Sequence, residues 1–399
     1  MQSGTCVIKN ARIVLPESFI SHGFMEIVNG RIARISEGDY SGTDSSVLFD
    51  ANGSTLTPGF IDLHVHGGNG GTFTSTDPAQ HALAREFHLK RGTTSMFAST
   101  HTTEFSDLLE ILKSLSASTR SDKNGSKVLG IHTEGPFISE HKPGAHVVAQ
   151  LKAADLSLID EVLSAGDNFI SMVTVAPEIP GGLELIKYLT KKKIISSIGH
   201  TNATYAQAVA GIQAGARSTT HLFNAMSALS HRDPGAVGAI LENEDIFAEL
   251  ILDGIHIDEA IFRIALKCKG ADRINLITDA TSLAGFPDGE YKVLSDRAVS
   301  KIGGKIVVAG TDTLAGSALD MNMVYKNAAT FARISQPELS KISSLNAAKI
   351  AGKESEIGSI EVGKLADLVL LDTENTVCAT MIEGEWKYLN SAWNEALSR

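Results

Sequence analysis

Eight short apolar runs recur through the middle of the chain, separated by segments of helical pattern. They are GFIDLHVH (59–66), TTSMFAST (93–100), KVLGIHTE (127–134), FISMVTVAPE (169–178), IISSIGH (194–200), STTHLF (218–223), FAELILDG (247–254) and INLITDA (274–280). Near-continuous apolar strands alternating with helices predict a parallel sheet covered on its outer face. Eight repeats predict that this α/β sheet closes into a (β/α)8 barrel of the TIM type. Such a barrel takes about 250 residues, so a chain of 399 residues has room for a smaller companion.

The two ends follow another rhythm. CVIKNARIVL, GFMEIVNGRIARIS and SSVLFDANGSTLT alternate apolar and polar residues, with hairpin signals at Asn29-Gly30 and Asn52-Gly53. GSIEVGKLADLVLLD and TVCATMIEGEWKYL do the same at the other end. Together they predict one small β-sandwich domain built from both termini, residues 1–57 and 357–399, around a barrel over 58–356. Residues 281–317, with several glycines and hairpin-like pieces, predict an excursion after the eighth strand. LSKISSLNAAKIAG (339–352) reads as a late helix leading back to the β domain.

Composition narrows the partners. With 43% hydrophobic residues, a large core needs no disulfide staples. A net charge of −11 argues against nucleic acid, which demands basic clusters. No stretch approaches the roughly 20 apolar residues of a membrane span, and MQSGTCVIKNARIV lacks the pattern of a signal peptide. Cys6, Cys268 and Cys378 lie far apart and form no metal-binding pair, as expected of a reducing compartment. The expected location is cytoplasmic.

Barrel enzymes carry their active groups at the C-terminal ends of the strands. His64 and His66 close the first strand, Glu134 the third, His200 the fifth and Asp279 the eighth, while His221 falls within the sixth. Residues two apart on a strand share a face, so Asp62, His64 and His66 point into the barrel and Ile61, Leu63 and Val65 away from it. Imidazoles and carboxylates gathered in this way suit Zn²⁺ or Fe²⁺. Asp62 reads as structural, and His132, on the face of Glu134, as an outer partner of the site. His22, His81, His88 and His101 have no strand-end context and read as ordinary structural histidines. His141 and His231 sit in loops without a clear role.

PGFIDLHVHGG, HTEGPFI with KPGAH, SIGHTNATY, THLFNAMSALSHRDPGAVGA, DGIHID, LITDA and TLAGSAL resemble the N-acetylglucosamine-6-phosphate deacetylases. The closing SIEVGKLADLVLLD is similar to the ends of amidohydrolase chains in general. The resemblance implies that Glu134, His200 and His221 hold the principal metal and that Asp279 is the acid/base. It implies substrate contacts from Ala145, His146, Asp253 and His256. The sugar would meet Asn224, Ala225 and the backbone of Leu314, Ala315 and Gly316. Arg232 would reach the 6-phosphate from the neighbouring subunit, which implies a homodimer. Some members lack the first histidine pair and work with one ion. His64 and His66 therefore offer this chain a second, so that one or two ions are expected, zinc first, with iron, manganese or cobalt as alternatives.

The expected reaction is hydrolysis of the acetamide of N-acetylglucosamine-6-phosphate. A divalent cation can bring the pKa of a water from 15.7 to roughly 7. Asp279 would accept its proton and return it to the leaving amine, and His146 would donate to the acetyl oxygen. A planar guanidinium at Arg232 suits phosphate. The 4-epimer, N-acetylgalactosamine-6-phosphate, is an alternative substrate, and a non-catalytic sugar-phosphate-binding scaffold an alternative of another kind. A hydantoinase type would need a lysine on the fourth strand, and FISMVTVAPE has none. Asn346-Ala347-Ala348 and Asp233 depart from the usual pattern without touching the proposed chemistry.

Overall fold

The computed structural model describes residues 5–42, 47–122, 124–293 and 297–393. Each apolar run contains a strand: β1 (Phe60–Val65), β2 (Thr93–Thr100), β3 (Lys127–Thr133), β4 (Ile170–Val175), β5 (Ile195–Ile198), β6 (Ser218–Thr219), β7 (Ala248–Ile251) and β8 (Ile274–Ile277). β1 to β6 lie side by side in chain order, all parallel, and β7 and β8 form a further parallel pair. Backbone bonds tie the two groups together, from Thr219 N to Phe247 O at 3.0 Å and from His66 N to Ala280 O at 2.8 Å. Parallel neighbours need long crossovers, and a helix lies between each consecutive pair of strands, from Pro78–Leu89 to Glu259–Lys269. Strand residues Met96, Ile131, Val173 and Leu276 pack with helical Leu112, Val162, Leu185 and Phe262 in one buried core. The result is a curled parallel sheet wrapped by helices.

The strands stop short of their apolar runs. β6 ends at Thr219, so His221 lies beyond the strand and not within it. His200, His221 and Asp279 have φ of 45°, 35° and 51°. Left-handed backbone departs from the extended strand conformation, and it swings these side chains over the end of the sheet.

The termini form an eight-stranded sheet of their own. Seven of its strands follow one hydrogen-bonded path and Val47–Asp50 pairs with Thr5–Val14 off it, a single sheet where two facing sheets were expected. The reason is Thr55–Pro58, which pairs with Thr5–Val14 on one side and with Leu368–Leu371 on the other. Ile8, Ile13, Met25, Leu56, Leu368 and Met381 share its buried cluster. Asn29-Gly30 makes the expected hairpin between Phe19–Val28 and Arg31–Glu37. Asn52-Gly53 does not, because Val47–Asp50 and Thr55–Pro58 both pair in parallel with Thr5–Val14. Ser45 and Ser46, at the start of that predicted stretch, lie outside the described residues.

After β8, Gly289–Val293, Arg297–Ile302, Lys305–Val308 and Leu314–Ser317 form an antiparallel flap. Its core of Val299, Ile306, Val308 and Ala315 packs against Ala145, from the loop after β3. The stretch 336–350 is helical throughout, with a π turn at Lys341–Leu345. Asn346 donates there to the carbonyls of Ala271 and Ile274 at 2.7 Å each, fixing the helix beneath β8. Among the described residues no helix is long and apolar enough to cross a membrane.

Candidate active site

The strand ends bring six side chains to one buried point. His64 and His66 share a face, with Nε2 atoms 3.0 Å apart. The Nε2 atoms of His200 and His221 lie 3.1 Å apart. Glu134, one residue past β3, lies between the pairs. Its Oε1 is 3.2 Å from His200 Nε2 and 3.0 Å from His221 Nε2, and its Oε2 is 3.2 Å from His66 Nε2. Asp279 Oδ1 is 3.4 Å from His64 Nε2 and 3.2 Å from His66 Nε2.

This donor set fits a cation. Two nitrogen lone pairs facing each other at such distances repel unless a positive centre lies between them. A proton serves one pair, whereas a divalent ion takes several donors at once. Two groups can hold one, His64 with His66 and Asp279, and Glu134 with His200 and His221, each with donor atoms within 4.8 Å of one another. Charged groups in the cluster also shift one another. Burial alone would raise the pKa of Glu134, but His64 and hydrogen bonds from His146, His200 and His221 hold the carboxyl well below the usual range. Asp279 is likewise lowered against its burial by His64 and His66. His66, despite burial, is pushed up to about 9 by Asp279 and Glu134.

A cavity of about 880 Å³ opens above the cluster. Among the expected substrate-contacting residues, Ala145, His146, Asn224, Ala225, His256, Leu314, Ala315 and Gly316 line it. His146 has a defined tautomer. Its Nδ1 accepts from the Thr102 backbone N–H at 3.4 Å and lies 2.8 Å from the Thr102 hydroxyl, so the ring proton sits on Nε2. That nitrogen faces Glu134 Oε2 at 3.4 Å, over the cluster. Asp253 and Arg232 are not among the lining residues. Asp253 stands behind His256, with Oδ2 2.6 Å from His256 Nδ1 and Oδ1 accepting from the backbone N–H groups of Ile255 and His256. Arg232 is exposed, on the loop leading into Gly235–Glu242.

Local sequence explains the loops. After β5, the backbone N–H of Asn202 and the hydroxyl of Thr201 donate to Glu178, at 2.6 and 2.5 Å. Thr204 and Gln207 then close a capping box on Tyr205–Gln213. His200 is thereby held from both sides, with its Nδ1 2.9 Å from the Lys142 carbonyl.

The structure adds Glu249, which sequence reasoning passed over, and corrects the reading of His101 as a histidine without strand-end context. His101 follows β2 directly, lines the cavity, and its ring lies 6.2 Å from that of His66. Burial pushes it down to about 4, so it is neutral. The available signal was its offset, one residue past β2, the same as that of Glu134 past β3. Glu249, inside β7, is fully buried with its Oε2 3.6 Å from His64 Nδ1. A carboxylate in an apolar strand was the only hint. His81 and His88 are structural, as read, the first between Ser118 and Ser75 and the second against the Gly67 carbonyl. His132 bonds to the hydroxyls of Ser99 and Thr174 at 3.0 and 2.8 Å and sets its ring edge-on to His64.

Comparison with known proteins agrees with this geometry. A family model described as "Amidohydrolase family" matches residues 55–393. An N-acetylglucosamine-6-phosphate deacetylase from Bacillus subtilis is 34% identical over 392 residues, covering 96% of this chain and 97% of its own. An N-acetylgalactosamine-6-phosphate deacetylase from Escherichia coli is 30% identical, over 96% of this chain and 99% of its own. Among solved structures, an N-acetyl-D-glucosamine-6-phosphate deacetylase mutant from Mycobacterium smegmatis, in complex with N-acetyl-D-glucosamine-6-phosphate, superposes with a TM-score of 0.90 at 33% identity. That match covers 96% of this chain and 99% of the other.

Proposed function

The chain belongs to the amidohydrolase family, and we infer from that membership and its buried cluster that it deacetylates N-acetylglucosamine-6-phosphate, releasing acetate. The observation that carries the reading is the convergence of four imidazole Nε2 atoms and two carboxylates beneath a cavity. The deacetylase relatives supply the substrate class.

A divalent cation held by Glu134, His200 and His221, with a second at His64, His66 and Asp279, would activate water and polarise the acetyl group. Zinc is the first expectation for either site. The side chains do the rest. Asp279 accepts the proton of the attacking water and passes it to the departing amine, which leaves poorly unless protonated. His146 turns its Nε2–H toward the reacting centre and donates to the acetyl oxygen as charge develops. Asn224, Ala225 and the backbone of 314–316 hold the sugar, and His256, braced by Asp253, meets its phosphate end.

The eight strands are read as a closed (β/α)8 barrel over residues 58–356, supported by the backbone bonds from Thr219 to Phe247 and from His66 to Ala280. The sheet of residues 1–57 and 357–399 is the companion domain. Arg232 is exposed and outside the cavity of its own subunit. That position supports a homodimer in which it reaches the phosphate held by its neighbour.

The test is acetate release by metal-replete protein offered each N-acetylhexosamine-6-phosphate separately. Faster turnover of the gluco epimer is expected. Preference for the galacto epimer would move the assignment to the other deacetylase, and no acetate from either would leave a binding scaffold.

A further inference from the structure

Four imidazoles aim Nε2 at the cluster, and they differ in what stands behind Nδ1. For His66 it is the Ser99 carbonyl at 3.2 Å, and for His200 the Lys142 carbonyl at 2.9 Å. His221 Nδ1 has no hydrogen-bond partner among the described residues. Only His64 has a carboxylate there, with Glu249 Oε2 at 3.6 Å.

Glu249 is hard to explain as packing. It is 0% exposed, and neither carboxylate oxygen has a hydrogen-bond partner among the described residues. Beside it on β8, in register, stands Asn275, also 0% exposed and with both side-chain polar atoms unpartnered. An isolated buried carboxylate is strongly unfavourable, and so persists only when a partner offsets it. His64 Nδ1 is itself an orphan. The gap exceeds a hydrogen bond by roughly half an ångström, within reach of a small shift of the side chain.

We propose that Glu249 is a positioning residue: it accepts from His64 Nδ1–H, fixing the tautomer whose Nε2 lone pair faces the cluster, while Asn275 steadies the other carboxylate oxygen. A carboxylate behind an imidazole orients the ring and makes its free nitrogen a stronger donor. Glu249 therefore acts on the ion held by His64, His66 and Asp279 and leaves the ion held by Glu134, His200 and His221 alone. This inference rests on the two-ion reading of the site.

The test is metal binding. Apo protein is titrated with Co²⁺, following the d–d absorption and competition against a chelator, in wild type, E249Q, E249M and the His64→Asn/His66→Asn double variant. Gln keeps an accepting oxygen without charge, and Met keeps the bulk without an acceptor. The site of Glu134, His200 and His221 should be unchanged in both Glu249 variants. Affinity at the site of His64, His66 and Asp279 should fall roughly 10–100-fold in E249M, and less in E249Q, with an altered Co²⁺ spectrum at that site alone. The apo unfolding temperature shows that both variants fold, and E249Q keeps the test open if E249M does not. Two ions bound with wild-type affinity and spectrum in both variants would overturn the role of Glu249 and leave the two-ion reading standing. A wild type that saturates at one ion, with the double variant the same, would overturn both.

Discussion

Asp279 is where removing one proton acceptor should separate chemistry from assembly. Asp279→Asn keeps the shape of the side chain and leaves Glu134, His200 and His221 in place, so fold and bound metal at that group should survive. Turnover should drop by roughly 10²–10⁴-fold, and near-native turnover of a metal-loaded variant would remove Asp279 as the acid/base. His256 and Arg232 make a second test at this scale. His256→Ala and Arg232→Ala should each weaken capture of the phosphorylated sugar far more than of N-acetylglucosamine itself, measured as the ratio of kcat/KM values. A ratio unchanged in both variants would place phosphate recognition elsewhere. Much of this centre was legible in the sequence because alternation along β1 fixes the direction of His64 and His66. The left-handed backbone of His200, His221 and Asp279 was not, since such conformations cost roughly 1–3 kcal/mol each and are imposed by surroundings that a local reading does not contain. Glu249 escaped for the same reason, as its meaning depends on a histidine far away in the chain.

Turns show what an element's sequence can and cannot decide. Asn29-Gly30 and Asn52-Gly53 have nearly the same backbone, with φ of 52° and 76° in the first and 49° and 77° in the second. One is a hairpin and the other joins two strands on the same side of a third. The difference lies in Thr5–Val14, whose register shifts around Asn10 (φ 54°), so that it offers two separate parallel registers, Cys6–Lys9 to Val47–Asp50 and Arg12–Ile13 to Thr55–Leu56. No local signal near Asn52 announces this. Substitution separates backbone strain from crowding at the two turns. A Cβ on Gly53 meets nothing within 4 Å, whereas on Gly30 it would lie 2.6 Å from the Glu383 carbonyl oxygen. Gly53→Ala should cost about 1 kcal/mol from strain alone. Gly30→Ala should add roughly 1–3 kcal/mol for the clash. Urea midpoints of the two variants check this, and equal losses would mean that the junction around Glu383 yields.

On the scale of the whole molecule, the chain closes on itself through Thr55–Pro58, whose two hydrogen-bonding edges belong to opposite ends of the sequence. A chain cut after Ala366 should leave that strand half-paired beside an apolar cluster that has lost Leu368, Leu370 and Met381. Such an edge invites association, so the truncated protein should run as aggregates in size exclusion, and a well-behaved, metal-binding truncation would contradict the account. Intact protein passes through the same state once. Its first strands leave the ribosome roughly three hundred residues ahead of the partner of Thr55–Pro58. At ordinary rates of synthesis that interval lasts about 15–60 s. Throughout it the nascent chain carries Thr55–Pro58 with one edge unpaired, open to association until Leu368–Leu371 arrives.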